Sequence, residues 1–199
     1  MAQGARAALL ELLRARAFQR KRVVLASGRE SDFFIDCKQA VLTAEGHALV
    51  GQAMLDVLDP AGALGACVAV AGVELGGCPL ASAVALTSYP RGAPLDAVYV
   101  RKDAKDHGSR RLLEGDTRLL PGARIALLED VVTTGGSTLK AAAKLRDAGY
   151  RVAGVIALVD RLEGGREAIE ADGMKLVALF TRHDFIPPEE GARGDFSTR

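Results

Sequence analysis

Residues 125–138 constrain the fold more than any other stretch of this 199-residue chain. Ile125 to Leu128 is a short apolar run of the kind shown by a strand buried on both faces. Glu129 and Asp130 close it, the turn Thr133-Thr134-Gly135-Gly136-Ser137-Thr138 follows, and Leu139 to Ala148 reads as a helix. Glycines let backbone N–H groups approach an anion, hydroxyls add donors, and a helix N-terminus contributes positive potential. That assembly suits a phosphate, while the adjacent acids suit the hydroxyls of an attached sugar or a hydrated divalent cation. Neither the P-loop spacing nor the Gly-x-Gly-x-x-Gly dinucleotide pattern is present. A plainer reading makes this a strand–turn–helix corner with Ser137 or Thr138 as N-cap. It accounts for the hydroxyls but not for paired acids at the end of a strand.

The rest of the chain repeats the strand–helix alternation. Residues 5–17 read as a helix, and 23–25 and 32–36 as short strands around the turn Ala26-Ser27-Gly28-Arg29. Thr43 caps a helix to about Leu58, with Glu45 in its first turn. A strand over 66–71, the loop Gly72-Val73-Glu74-Leu75-Gly76-Gly77 and a helix over 79–86 follow, with Pro79 near the helix start. Strands over 95–100, 124–128, 151–159 and 175–180, and a short helix over 165–171, complete the pattern. This predicts an α/β fold with a central, mainly parallel sheet flanked by helices. Residues 1–199 read as one domain, with 1–40 forming an N-terminal helix and small hood and 187–199 a peripheral tail. Ligands of such sheets bind beyond the C-terminal strand ends, so the loops at 72–77, 101–111 and 129–137 converge on one rim.

Composition excludes several classes. A net charge of +1 does not suit a general nucleic-acid binder. No apolar run reaches the ~18–20 residues needed to cross a bilayer, and arginines interrupt the N-terminal segment where a secretory signal would be apolar. Cys37, Cys67 and Cys78 are odd in number and widely spaced, which fits a reducing, cytoplasmic setting. Cys67, in an apolar run, reads as a small core residue, and Cys78 lies beside the glycine loop, where a catalytic thiol is the lesser reading.

A second element, Arg101-Lys102-Asp103-Ala104-Lys105-Asp106-His107-Gly108, follows a strand and offers Arg101, Lys102, Lys105 and His107 as cationic donors. Alone it reads as a solvated charged loop; on the rim of a sugar-phosphate site it suits a pyrophosphate. The glycine loop 72–77 offers backbone donors to the same kind of group. In Ser27-Gly28-Arg29-Glu30-Ser31-Asp32-Phe33-Phe34, the aromatic pair either stacks on a flat ring or enters the core. At the end of the strand 151–159, Arg161 pairs either with a substrate carboxylate or with a neighbouring acid. A site for a ribose 5-phosphate beside a site for pyrophosphate describes one metabolite, phosphoribosyl pyrophosphate, and implies substitution at its anomeric carbon.

On these motifs the chain resembles the type I phosphoribosyltransferases and, within them, the orotate branch, over roughly residues 5–185. The acid-pair loop Glu129-Asp130-Val131-Val132-Thr133-Thr134-Gly135-Gly136-Ser137 marks the superfamily. The Arg101-Lys102-x-x-Lys105-x-His107-Gly108 and Ser27-Gly28-Arg29 segments mark the branch. The resemblance implies transfer of phosphoribose to orotate in de novo pyrimidine synthesis. It also implies Mg2+ carried mainly by the substrate pyrophosphate, with no dedicated protein metal site. A homodimer is implied, with loop 101–108 acting in trans. Residues 129–137 would hold the ribose 5-phosphate, with Glu129, Asp130 and Lys105 as the catalytic groups. Arg101, Lys102, Lys105 and His107 would face pyrophosphate, and Thr133, Arg161, Phe33 and Phe34 orotate. Two positions depart from the pattern: Ala26 stands where some members carry lysine, and Glu74-Leu75 where some carry Tyr-Lys. A transferase for a purine, or a non-catalytic sensor of phosphoribosyl pyrophosphate, are the alternatives.

Overall fold

The computed structural model describes residues 2–24, 30–58, 64, 66–103 and 111–188. The chain begins with helix α1 (Ala2–Arg16), the antiparallel strands β1 (Phe18–Val24) and β2 (Glu30–Ile35), and helices α2 (Lys38–Val41) and α3 (Ala44–Val57). Alternation follows: β3 (Ala69–Val73), α4 (Gly77–Ser88), β4 (Asp96–Val100), β5 (Leu113–Glu114), β6 (Arg124–Val132), α5 (Gly136–Asp147), β7 (Arg151–Asp160), α6 (Gly165–Ala171) and β8 (Leu176–Thr181). Six strands form one sheet in the order β5-β4-β3-β6-β7-β8, parallel except for the two-residue edge strand β5. Strands β1 and β2 form a separate ribbon.

Burial explains why the strands lack polar–apolar alternation. On one face Val70, Ala126, Leu128, Ile156 and Leu158 pack against α3 and α4; on the other, Ala71, Ile125, Leu127, Val155 and Ala157 meet α5 and α6. Both faces are covered, so both are apolar. From β3 the chain crosses to β4 on one side of the sheet, and from β6 it crosses to β7 on the other. The strand order therefore reverses between β3 and β6, the switch point at which such sheets open a crevice.

Thr43 caps α3 as its spacing predicts, its Oγ1 accepting from the Gly46 N–H at 3.0 Å. Three expectations change. Strand β1 starts at Phe18 rather than residue 23, because its early residues pair with β2 in the register Phe18↔Ile35. The short helix α2 and strand β5 carry no periodicity long enough to read in the sequence. Strand β6 does not stop at Leu128: Glu129 and Val131 pair onward with β7, at Ala157 and Val159. Its partner on the other side, β3, ends its pairing at Leu128. Residues 129–132 are thus strand on one edge and open on the other.

The ribbon is fixed by aromatic packing. Phe33 is fully buried, with its ring 5.2 Å from Phe18 and 5.7 Å from Phe185. Phe34 points to the opposite face of the strand, half-buried, with the Lys21 ammonium 3.9 Å from its ring centroid. Phe33 therefore belongs to the core and offers no face for stacking on a ligand, which corrects its assignment to base binding. Phe33→Ala should destabilise the fold by ~3–5 kcal/mol in chemical denaturation, and Phe34→Ala by about 1 kcal/mol or less. Equal losses would contradict this division of the pair.

Candidate active site

The crevice at the switch point is walled by the loop after β3 and the open edge of β6. The approach is so close that a Cβ on Gly76 would lie 1.9 Å from Asp130 Oδ2, so any larger residue would have to displace that carboxylate. The backbone of the glycine loop is therefore pressed against the Asp130 carboxylate, which joins two of the three predicted segments directly.

Glu129 sits beside it, buried, at the end of its apolar strand. Its Oε2 accepts from Ser137 Oγ at 3.1 Å and Thr138 Oγ1 at 3.0 Å. Those hydroxyls are therefore not the caps of α5. The N-cap is Gly135, with φ of 80°, a left-handed conformation suited to glycine. Burial pushes the Glu129 carboxyl up to about 8; the neighbouring Asp130 adds to the rise, and the two hydroxyls oppose it. The backbone of Val131 and Val132 lies within β6 and not in the turn, so the anion-facing turn shortens to Thr133–Gly136. Val132 also accepts from the Arg161 N–H at 2.9 Å and buries its side chain in the core. Thr133 is half-buried, while Thr134, Gly136 and Ser137 are exposed at the head of α5.

The root of the cationic loop is tied to the same rim. Lys144 of α5 donates to the carbonyls of Arg101 at 2.7 Å and Lys102 at 2.6 Å. Glu74 Oε2 accepts from the Lys102 N–H at 2.7 Å. Arg101 pairs with Glu114 at 3.7 Å. Lys105 and His107 lie outside the described residues, as do Ala26, Ser27, Gly28 and Arg29. Cys78 is no nucleophile: burial, then Glu74, push its thiol up to about 11.

Arg161 stands at the far end of the rim, 9% exposed, held by several partners. Its Nη2 donates to Phe33 O at 3.2 Å and Ser31 Oγ at 3.3 Å and pairs with Glu163 at 2.9 Å. Its Nε is buried, with no hydrogen-bond partner among the described residues. Both sequence alternatives thus have physical ground, since the acid is present and one donor is still free. Burial pulls the guanidinium down, Glu163 opposes that, and Arg182 adds to it. Asp160 supports the turn, accepting from Leu162 N at 2.9 Å and pairing with Arg166 at 3.1 Å. Sequence reasoning singled out neither Lys144, Glu163 nor Arg182, because none lies in a glycine-rich or paired-charge motif.

Residues 56–177 match the phosphoribosyl transferase domain family. An orotate phosphoribosyltransferase of Sorangium cellulosum is 72% identical over 179 residues, covering 90% of this chain and 92% of that one. The chain belongs to the orotate phosphoribosyltransferase family. Among solved members, Mycobacterium tuberculosis H37Rv orotate phosphoribosyltransferase superposes with a TM-score of 0.76 at 38% identity, covering 91% of this chain and 98% of that one. A second structure of the M. tuberculosis enzyme, in complex with 5-phospho-alpha-D-ribosyl 1-diphosphate, gives a TM-score of 0.72 at 32% identity, covering 93% of each chain. For this family member the two departures have unequal consequences. Glu74 has a visible task at the root of the cationic loop, and Ala26 lies outside the described residues.

A proton on Glu129 carries a stability signature. The native state holds it between about pH 4.5 and 8, where the unfolded chain has released it. Stability therefore falls as pH rises through that window. Glu129→Gln should flatten the fall, so that its Tm between about pH 5 and about pH 8 changes less than that of the wild type. A wild-type profile no steeper than the variant's would exclude the raised pKa.

Proposed function

We infer that the protein transfers the 5-phosphoribosyl group of phosphoribosyl pyrophosphate to a ring nitrogen of orotate, giving orotidine 5'-monophosphate and pyrophosphate in de novo pyrimidine synthesis. The observation that carries this is the shared rim. It holds an acid pair pressed against a glycine loop, a hydroxyl-rich helix start beyond it, and a buried arginine donor free at the other end. An activated pentose with a phosphate at one end and a carboxylate-bearing acceptor at the other matches that arrangement.

In this reading the turn Thr133–Gly136, with Ser137, receives the 5-phosphate at the N-terminus of α5. Glu129 and Asp130 face the ribose hydroxyls. Arg101, Lys102, Lys105 and His107 face the pyrophosphate with the 74–76 backbone, and Thr133 and Arg161 contact orotate. The anomeric C–O bond breaks ahead of attack, the electron pair leaves with pyrophosphate, and the base nitrogen closes the new C–N bond. The ribosyl centre is then cationic, and the Asp130 carboxylate favours that charge. Positive charge gathering there also favours the ionised form of Glu129, so the acid pair binds this centre more strongly than the ground state. Among the described residues no three His, Cys, Asp or Glu side chains cluster to hold a metal. The acid pair together with the substrate's own phosphate and hydroxyl oxygens is an oxygen set that fits Mg2+. When bound there, Mg2+ supplies neutralisation of the departing diphosphate's charge.

We further propose a homodimer in which the 101–108 loop serves the partner's site. An outward stripe at Leu75, Pro79, Ser82, Leu86 and Tyr89 alternates steps of four and three residues along α4, the spacing of a helix seam. Leu86 and Tyr89 are 71% and 77% exposed, and Tyr99 is hydrogen-bonded to Ser82 beside them. No helix among the described residues is long and apolar enough to cross a membrane. Cys37, Cys67 and Cys78 form no disulfide, which fits a reducing cytoplasm.

Offered orotate, uracil, adenine, hypoxanthine and nicotinate separately with phosphoribosyl pyrophosphate and Mg2+, the protein should consume orotate alone and release pyrophosphate. Consumption of a purine, or binding without turnover, would replace this reading with one of its rivals. Lys105→Ala should lower kcat ~10²–10³-fold with little change in substrate affinity. If the loop acts in trans, randomly mixed subunits of Lys105→Ala and Asp130→Asn should recover about a quarter of wild-type activity, since half the dimers carry one intact site. Two inactive variants that stay inactive when mixed would place the loop in cis.

A further inference from the structure

Strands β7 and β8 pair Asp160 with Thr181, so the next residues, Arg161 and Arg182, emerge side by side on the rim. Both reach Ser31 Oγ, at 3.3 and 3.5 Å, and both stand over the Phe33 ring, at 5.4 and 5.5 Å. Two guanidiniums this close repel, and each has its own carboxylate. Arg182 pairs with Asp32 of the ribbon, a half-exposed acid that Arg20 also approaches at 3.7 Å. That pair ties the ribbon to the sheet. Glu163 is different. Its side chain is 12% exposed and that of Arg161 10%, so the 2.9 Å pair they form is largely shielded from water.

Among the described residues, the three acceptors around Arg161 all crowd onto Nη2, while the buried Nε has no partner. Nε and Nη2 share one edge of a guanidinium, the edge that takes a carboxylate side-on through two donors. A ligand carboxylate that satisfies Nε must therefore approach the atom Glu163 already holds. Two anions then stand at one cation, in a place where screening is weak.

We propose that Glu163 is a positioning residue that sets the strength of carboxylate recognition. Its oxygen fixes the orientation of the Arg161 fork, and its negative charge holds the fork's affinity for a ligand carboxylate below what the fork alone would give. This rests on the reading that Arg161 meets the carboxylate of orotate. The product keeps that carboxylate, so a weakened grip also speeds product release.

The test is equilibrium binding of orotidine 5'-monophosphate and of uridine 5'-monophosphate, which differs only in lacking the carboxylate. Glu163→Gln keeps an oxygen in place and removes the charge. It should bind orotidine 5'-monophosphate ~3- to 10-fold more tightly than the wild type, the scale of one partly screened charge, and leave uridine 5'-monophosphate unchanged. A purely structural role cannot produce a gain confined to the carboxylated ligand. Unchanged or weaker binding of orotidine 5'-monophosphate, or an equal gain for both ligands, overturns the proposal. Should Glu163→Gln melt below the assay temperature, Glu163→Asn, which also removes the charge, is read instead, and tightening in the same direction is required. Arg161→Lys separates the two ideas. If it still discriminates between the nucleotides as the wild type does, the reading of Arg161 falls, and the role of Glu163 falls with it. If it loses discrimination while Glu163→Gln shows no gain, only the role of Glu163 is lost.

Discussion

The contact between Gly76 and the Asp130 carboxylate governs the rest of the site. Strand β6 runs four residues past the last pairing of β3, which exposes one edge of residues 129–132. The glycine loop fills the notch this leaves. Any side chain at position 76 would occupy the space of the carboxylate itself. Position is set by close approach here: the backbone of the glycine loop is the surface against which the Asp130 carboxylate lies. The Val131 N–H adds a hydrogen bond to Asp130 Oδ1 at 3.0 Å, so the carboxylate is held from its own strand as well.

Electrostatics then shape what that ligand can be. Glu129 is enclosed beside a second acid, and its charge is suppressed by burial and by that neighbour. Ser137 and Thr138 from the start of α5 support its ionised form, so the helix start and the acid pair are coupled. An acid held neutral beside a carboxylate is drawn towards ionisation by a group that becomes positive next to it. A ribosyl centre losing pyrophosphate is such a group. The same two hydroxyls that look like helix caps in the sequence thus tune Glu129, and Gly135 takes over the capping position with a backbone conformation that needs no side chain.

What could be read in advance follows the distance over which each feature is encoded. The sheet, its mainly parallel order and the converging loops come from local apolar runs, and these were legible. So was the acid-pair turn, because strand, acids and helix start lie within fourteen consecutive residues. The limits of β6 were not legible, since pairing with β7 carries the strand through two acids that look like its end. Phe33 and Phe34 could not be sorted by sequence either. Alternation along β2 sends one into the aromatic cluster with Phe18 and Phe185 and turns the other away. Helix α2 and strand β5 are too short for any period to show.

The acceptor end of the crevice is the part that sequence reads least well, and its construction explains why. Nothing local joins Ser31, Arg161, Glu163 and Arg182; they meet because the ribbon folds over the C-terminal ends of β7 and β8. Recognition of a sugar phosphate can be written in one turn because its donors are largely backbone groups at a helix start. Recognition of a planar base with one carboxylate needs side chains that approach from different directions, each with its charge balanced by a partner. The root of the cationic loop obeys the same rule. Lys144 and Glu74 hold the backbone of Arg101 and Lys102 from two separate elements, so a position that carries Tyr-Lys in some relatives here serves to hold the loop's base.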